Sequence, residues 1–131
     1  FIEKLFIGYR ESFNDPKKIL NKYSLGIAHH KAIHLISLHQ GITISQLLGK
    51  LKVTKQSLNR VLKDLISLDA IQFKKGEKDT RLKHVFLTKK GNQIFNEIFF
   101  VQKKRIYKAL INSSSVEINS FNNVLKKIIN E

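Results

Sequence analysis

Three side chains in the stretch VTKQSLNRVLKDL, residues 53–65, have the types and spacing needed to recognise nucleic-acid bases. Gln56 and Asn59 each carry a donor and an acceptor on one amide, a pair that matches the edge of adenine. The guanidinium of Arg60 carries paired N–H donors that match the two acceptors on the edge of guanine. At about 100° per residue, these groups fall on or beside the outer side of a helix. The stretch therefore predicts a helix tip that contacts base edges.

Neighbouring hydroxyl and ammonium groups suit phosphate oxygens, which position a protein on a duplex without specifying its sequence. Thr54, Lys55 and Ser57 have this character, and Lys63 shares the outer face with Arg60. The candidate set is completed by two residues at the start of the preceding helical pattern, Thr43 and Ser45. The alternative is an ordinary solvated helix face that binds nothing.

Two helices joined by a tight turn must present these side chains. Residues 43–46, Thr-Ile-Ser-Gln, fit a capping box, and the helix that they begin runs only to about Leu51. Thr54 is a plausible N-cap for the second helix. The inner face of the second helix is an apolar stripe at steps of three and four, formed by Leu58, Val61, Leu62, Leu65 and Leu68. Such a pair is a helix-turn-helix.

A basic β-hairpin is predicted directly after the helix pair. Apolar residues alternate with polar ones around 71–73 and again around 85–87, and a polar turn at 75–79 separates the two runs. The charged residues of this segment that we assign to nucleic-acid contact are Lys74, Lys75, Lys78, Asp79, Arg81 and Lys83. A helix-turn-helix followed by such a hairpin is a winged helix.

Apolar helices are predicted at both ends of the chain, so the fold class is mainly α with a small β-hairpin. Residues 2–13 show helical spacing that Asp15-Pro16 breaks, residues 20–25 form a short bridge, and a further helix covers 28–38. Thr88 begins a long helix, and Ser114 with Glu117 forms the capping box of the last one.

Composition limits the possible classes of protein. A length of 131 residues suits one compact domain, and 24 Lys+Arg against 10 Asp+Glu leave a net charge of +14. This charge favours a polyanionic partner, although the codon bias of an AT-rich genome would also enrich lysine. The absence of cysteine excludes disulfides and thiolate chemistry. No membrane span or secretory signal is visible, so we expect a soluble cytoplasmic protein.

The span from about Leu25 to Gly91 resembles the MarR family of bacterial transcription regulators. The matching segments are the helix 43–51, VTKQSLNRVLKDL, the hairpin KKGEKDTRLKHVFLT, and LTKKG at the start of the next helix. The resemblance implies a DNA-binding domain over 25–91 and a helical dimerisation region over 1–24 and 92–131. The sequence departs from the family pattern at Asp69, because the family usually has glycine at this position, the end of the recognition helix.

The resemblance also implies roles for particular residues. Arg81 would enter the minor groove of DNA, with Asp79 holding its guanidinium group. A small-molecule effector would bind near the junction of the two regions, at His29, His30 and His34. The homodimer interface would use apolar residues of the terminal helices, which are Phe1, Leu5, Phe6, Phe121, Leu125 and Ile128; the alternative is that these side chains pack within one chain. Neither a metal nor a cofactor is expected.

The sequence therefore predicts a homodimeric, sequence-specific regulator of transcription that binds a pseudo-palindromic operator in double-stranded DNA. The family implies that it is a ligand-responsive repressor. The alternative is a winged-helix module that binds proteins and has no specific affinity for DNA. An enzyme is not expected, because the sequence contains no nucleophile–base pair, metal-spaced cluster or glycine-rich phosphate loop.

Overall fold

A computed structural model describes all 131 residues as seven helices and one small antiparallel sheet. In chain order the elements are α1 (Ile2–Asn14), α2 (Lys17–Lys22), α3 (Ile27–Leu38), β1 (Ile42–Thr43), α4 (Ile44–Leu51), α5 (Lys55–Ser67), β2 (Ile71–Lys75), β3 (Lys83–Leu87), α6 (Lys89–Ile111) and α7 (Ser115–Ile128). The mainly helical fold with a hairpin is thus confirmed. None of the helices combines the length and the apolarity needed to cross a membrane.

The predicted helix starts are confirmed by their caps. The backbone N–H three residues further on donates to the hydroxyl oxygen of four N-cap residues, Thr43, Thr54, Thr88 and Ser114. At Thr43 and Ser114 the capping box is complete, because the side chains of Gln46 and Glu117 accept from the N-cap backbone N–H at 3.0 Å. Each cap satisfies N–H groups that the first turn of a helix leaves without a partner.

The sheet contains the predicted hairpin and one strand more. β2 and β3 pair in antiparallel register, with Phe73 opposite Val85. β1 pairs with the other edge of β3, placing Ile42 opposite Val85, so the strand order is β1-β3-β2. We did not predict β1, since two residues are too few to show alternation and their partner lies more than forty residues away.

The short bridge predicted at residues 20–25 is wrong, because residues 17–22 form the helix α2. Six residues are too few for a helical period to be visible in the sequence. Tertiary contacts hold α2 in place: Leu20 is buried, and the Tyr23 hydroxyl that follows it donates to Glu97 Oε2 of α6 at 2.7 Å. Helices this short depend on such packing rather than on intrinsic propensity.

The hydrophobic core lies where α3, α4 and α5 meet the sheet, and it includes Leu20, Ile94 and Ile98 from the flanking helices. By contrast, α1 and α7 bury none of their residues. The end of α1 is tied to α6 by two hydrogen bonds from the Arg105 guanidinium to the Asp15 carboxylate, at 2.7 and 2.9 Å. This pair holds the pKa of Asp15 below its usual value.

A tight joint connects the end of α5 to the start of α6. Asp69 adopts the left-handed conformation, at φ 59°, that glycine usually supplies. The Thr88 hydroxyl donates to Asp69 O, and the Thr88 N–H donates to Ala70 O at 3.0 Å. Gly91 packs against the same turn so closely that a β-carbon would lie 1.9 Å from Ala70 O. The LTKKG segment therefore fixes how α5 is held against α6.

Candidate nucleic-acid interface

The outer face of α5 presents free polar side chains. Gln56, Asn59, Arg60 and Lys63 are all exposed. None of these four side chains makes a hydrogen bond or ion pair within the chain. The opposite face anchors the helix, because Leu58, Leu62 and Leu65 are buried in the core. An anchored helix loses little further conformational freedom when its outer side chains bind a ligand.

The hydroxyl groups at the start of α5 are already paired with each other. Ser57 N–H donates to Thr54 Oγ1 at 3.1 Å, and the Thr54 hydroxyl donates to Ser57 Oγ at 2.9 Å. Ser57 Oγ therefore keeps its own proton for an outside acceptor. In α4, Thr43 is likewise engaged as a cap, whereas Ser45 is exposed. Lys55 is exposed and carries its charge beside the helix N-terminus.

The turn between the two helices relies on Lys52, a residue that the sequence did not single out. Lys52 has φ 52° and ψ 45°, and its N–H donates to Leu48 O at 2.9 Å. This left-handed residue ends α4 and redirects the chain so that Thr54 can begin α5. Non-glycine residues enter this region only rarely, so no simple sequence signal marks the position.

A turn at the tip of the hairpin shapes the wing, which we define as residues 74–83. Gly76 N–H donates to Leu82 O at 3.0 Å, and Leu82 N–H donates to Asp79 O at 3.1 Å. A β-carbon at Gly76 would lie 2.5 Å from Asp79 O, so only glycine fits here without a backbone shift. The turn therefore brings Asp79 and Arg81 to the tip.

Asp79 and Arg81 form a bidentate ion pair. Arg81 Nε donates to Asp79 Oδ1 at 3.0 Å and Nη2 to Oδ2 at 3.1 Å, while the Arg81 backbone N–H also donates to Oδ1. These bonds lower the pKa of Asp79 and raise that of Arg81. The Arg81 side chain is nevertheless 89% exposed. The guanidinium is thus oriented by a neighbour while it stays open to solvent.

The other lysines of the wing divide into two groups. The Lys74 ammonium lies 4.9 Å from the Phe86 ring centre, and that of Lys83 lies 5.8 Å from the Phe73 ring centre. Cation–π attraction steadies these two side chains on the hairpin. Lys75 and Lys78 are exposed and have no such partner. The wing is therefore a basic surface on which two lysines are held against aromatic rings and two are not.

Similar proteins are helix-turn-helix regulators. The sequence is 38% identical over 128 residues to the HTH-type transcriptional regulator PetP of Rhodobacter capsulatus, and the match covers 98% of this chain and 77% of PetP. The fold is similar to that of a MepR mutant from S. aureus, at 18% identity, a TM-score of 0.84, and 99% and 96% coverage of this chain and that one. It is also similar to an E. coli MarR mutant in complex with operator DNA, at 21% identity, a TM-score of 0.71, and 96% and 91% coverage.

The chain belongs to the MarR family of winged helix-turn-helix transcription regulators. It is accordingly a DNA-binding regulator of transcription. No protein-family model matches the sequence. The family assignment therefore rests on the relative at 38% identity and on the fold.

The junction histidines of this MarR-family protein do not form one cluster. His30 and His34 of α3 line a small cavity against α6, whereas His29 points to α5. The cavity has no room for a water molecule. Its walls are formed by His30, Ile33, His34, Phe95, Ile98, Phe99 and Gln102. Of the three predicted pocket residues, the structure therefore brings only two together.

His30 is deeply buried, and its Nδ1 has no hydrogen-bond partner. His30 is 2% exposed, its Nδ1 makes no hydrogen bond, and its ring lies 5.0 Å from that of Phe13 and 6.4 Å from that of His34. Burial lowers the pKa of His30 to about 4 and also lowers the pKa of His34. Both imidazoles are therefore neutral near pH 7.

The terminal helices carry the apolar residues that we predicted for a dimer interface. Phe1, Leu5, Phe6, Phe121 and Ile128 are exposed within the single chain, and Leu125 is half-buried. Other large apolar side chains join them on α6 and α7, namely Ile106, Tyr107, Ile111, Val116, Val124 and Ile129. Exposed apolar surfaces of this extent are typical of sites that bind another molecule.

Proposed function

We propose that this MarR-family regulator reads a specific operator by placing α5 in the major groove of double-stranded DNA. The observation that carries the proposal is the free outer face of α5, where Gln56, Asn59 and Arg60 are unpaired while the inner face is locked in the core. Recognition helices of this class contact base edges with their N-terminal residues. Thr54, Lys55, Ser57 and Lys63 are then close to the phosphates, as are Thr43 and Ser45 at the start of α4.

The wing is proposed to enter the adjacent minor groove with Arg81 at its tip. A narrow, AT-rich minor groove has an enhanced negative potential that attracts arginine. The pair with Asp79 reduces the entropy lost when Arg81 is immobilised, because the guanidinium is already oriented. Lys74, Lys75, Lys78 and Lys83 add attraction to the backbone of any sequence.

We further propose that the protein functions as a homodimer, joined through α1, α6 and α7. The helix α7 has 14 residues and buries none of them, and an isolated helix of that length is marginal in water. A second copy would cover its apolar face. Two-fold symmetry then predicts a pseudo-palindromic operator, with half-sites about one helical turn apart.

Sedimentation velocity at micromolar concentration tests the dimer. The unmodified chain should sediment as a dimer, and Phe121→Asp should shift it to the monomer, because a charge would be buried in an apolar interface. Leu38→Asp is a matched control, since Leu38 is equally exposed but lies at the end of α3. A monomer for the unmodified chain, or a dimer that survives Phe121→Asp unweakened, would contradict the interface.

Repression is proposed to arise by occlusion of the promoter, and release by an effector at the junction. A ligand releases the operator only if it prefers a spacing of the two α5 helices that does not fit DNA. The cavity beside His30 and His34 has no room for a water molecule, so an effector there has to separate α3 from α6 in order to enter. That separation is the kind of movement that would alter the spacing.

Selection of bound sequences from a random duplex library tests the proposed function directly. The expected result is an enriched motif with inverted-repeat symmetry and half-site centres about 10 base pairs apart. Enrichment of no motif would contradict sequence-specific binding, and a single unrepeated half-site would contradict the symmetric dimer. The selected duplex then serves as the operator in the measurements below.

Arg60→Ala and Lys75→Ala should have different effects on binding. Loss of Arg60 should weaken operator binding by about 1–3 kcal/mol and relax the preference at one base pair of each half-site. Loss of Lys75 should weaken operator and random duplexes alike and reduce the salt dependence of binding by about one ion per protomer. Fluorescence anisotropy over a range of salt concentrations measures both. Equal losses on both duplexes for Arg60→Ala would disprove base recognition by this residue.

A further inference from the structure

His29 joins α3 to the middle of α5. Its Nε2 lies 2.9 Å from Asp64 Oδ2, although the two residues are 35 positions apart in the sequence. Its Nδ1 accepts from the Gly26 N–H at 3.0 Å. With 16% of the side chain exposed, the imidazole is held on two sides and largely shielded.

The two bonds require a single form of the imidazole ring. The Gly26 N–H is always a donor, so Nδ1 must be unprotonated in order to accept from it. The ring proton therefore lies on Nε2, and Nε2–H donates to the Asp64 carboxylate. Because one nitrogen is fixed by the backbone, His29 presents a donor to Asp64 at all times in this conformation.

The carboxylate that His29 holds has another natural partner. Arg60 precedes Asp64 by four residues on α5, and at this spacing oppositely charged side chains are neighbours on a helix surface that can form an ion pair. In this structure Asp64 is bonded to His29 instead, and Arg60 is exposed and unpaired. The Asp64 carboxylate therefore has two possible partners, and in this structure it is bonded to His29.

We propose that His29 is a positioning residue for DNA recognition, which holds the Asp64 carboxylate against α3 and so keeps Arg60 available to the base edge. The inference rests on the proposed reading of DNA by α5. Without His29, Asp64 would pair with Arg60, and that pair would have to break before Arg60 could bind guanine. His29 itself does not touch DNA.

The first test measures the ratio of operator to random-duplex affinity in three variants. His29→Ala should lower this ratio about twofold, the worth of an exposed ion pair at this helical spacing. Asp64→Asn should leave the ratio unchanged, and His29→Ala combined with Asp64→Asn should restore it, because an amide cannot form the ion pair. His39→Ala, at the other end of α3, is the matched control and should behave as the unmodified protein.

The second test repeats the His29→Ala change in the Arg60→Ala background. With Arg60 absent, removal of His29 should no longer lower the ratio. A drop of the same size there, or no rescue by Asp64→Asn, would overturn the proposal, because His29 would then act through the general stability of α3. If Arg60→Ala alone leaves the ratio unchanged, the proposed base recognition by Arg60 is wrong. That result differs from those that contradict the role of His29, so the two proposals are tested separately.

Nuclear magnetic resonance of the imidazole nitrogens provides a readout that does not depend on DNA. In the unmodified protein the His29 ring should carry its proton on Nε2, and Nδ1 should show the shift of an unprotonated acceptor. The same ring in Asp64→Asn should keep that form, since Gly26 still fixes Nδ1. A proton on Nδ1 in the unmodified protein would overturn the assignment of both bonds.

Discussion

Replacing Gly91 with alanine should lower the free energy of unfolding by about 3 kcal/mol or more, within the range of severe overpacking changes. The new β-carbon would lie 1.9 Å from Ala70 O, and the obstructing atom belongs to the backbone rather than to a flexible side chain. Relief requires α6 to move away from the end of α5. That movement would strain the bonds from Thr88 to Asp69 and Ala70. Urea denaturation followed by circular dichroism measures the change.

Gly49→Ala is the matched control for this substitution. Gly49 also lies in a helix, but nothing lies within 4 Å of the position that a β-carbon would take. Alanine should therefore stabilise the protein there by about 0.5–1 kcal/mol through its higher helix propensity. Equal stabilities of Gly91→Ala and the unmodified protein would contradict the close packing of α6 on Ala70.

Acidification should destabilise the protein strongly between pH 6.5 and about 4, through His30. The folded protein keeps His30 neutral down to a pKa of about 4, whereas the unfolded chain takes up the proton near 6.5. Between these values the unfolded state binds more protons, so a fall in pH favours unfolding. The loss should total about 3 kcal/mol, at about 1.4 kcal/mol per pKa unit. His34, whose pKa is also lowered by burial, acts in the same direction.

Urea denaturation at several pH values, with His30→Leu as the test variant, measures this dependence. Leucine fills a similar volume and cannot be protonated, so most of the slope between pH 4 and 6.5 should disappear. The carboxylates with lowered pKa, Asp15, Asp79 and Glu117, have ordinary values of 3.8 to 4.5, so their effect falls mainly at lower pH. An unchanged slope in His30→Leu would mean that other groups cause the pH dependence.

The contact between α3 and α6 at His30 and the connection between α5 and α6 at Thr88 together hold α5 in place. His30 packs beneath Phe13 of α1, and α6 forms the opposite wall of the cavity that His30 lines. α6 in turn begins at Thr88, which is bonded to the turn that ends α5. Under the effector proposal, we therefore expect a displacement of α3 from α6 to move α5 as well. This chain of contacts is the observation that supports the effector proposal.

The sequence by itself determined the helix pair, the hairpin and the helix starts. The caps at Thr43, Thr54, Thr88 and Ser114 and the apolar stripe of α5 were all predicted and are confirmed. The outward direction of Gln56 and Arg60 followed from the same periodicity. These features depend on residues within about four positions of one another, so local spacing contains the information needed to predict them.

Only the tertiary structure decided which distant residues meet. The pairing of β1 with β3, the bond from His29 to Asp64, the separation of His29 from His30 and His34, and the contact of Gly91 with Ala70 all join segments far apart in the chain. Local patterns predict which face of an element is apolar, but not which other element will cover it. That choice follows from the packing of the whole core, because each buried side chain must fit neighbours drawn from several elements.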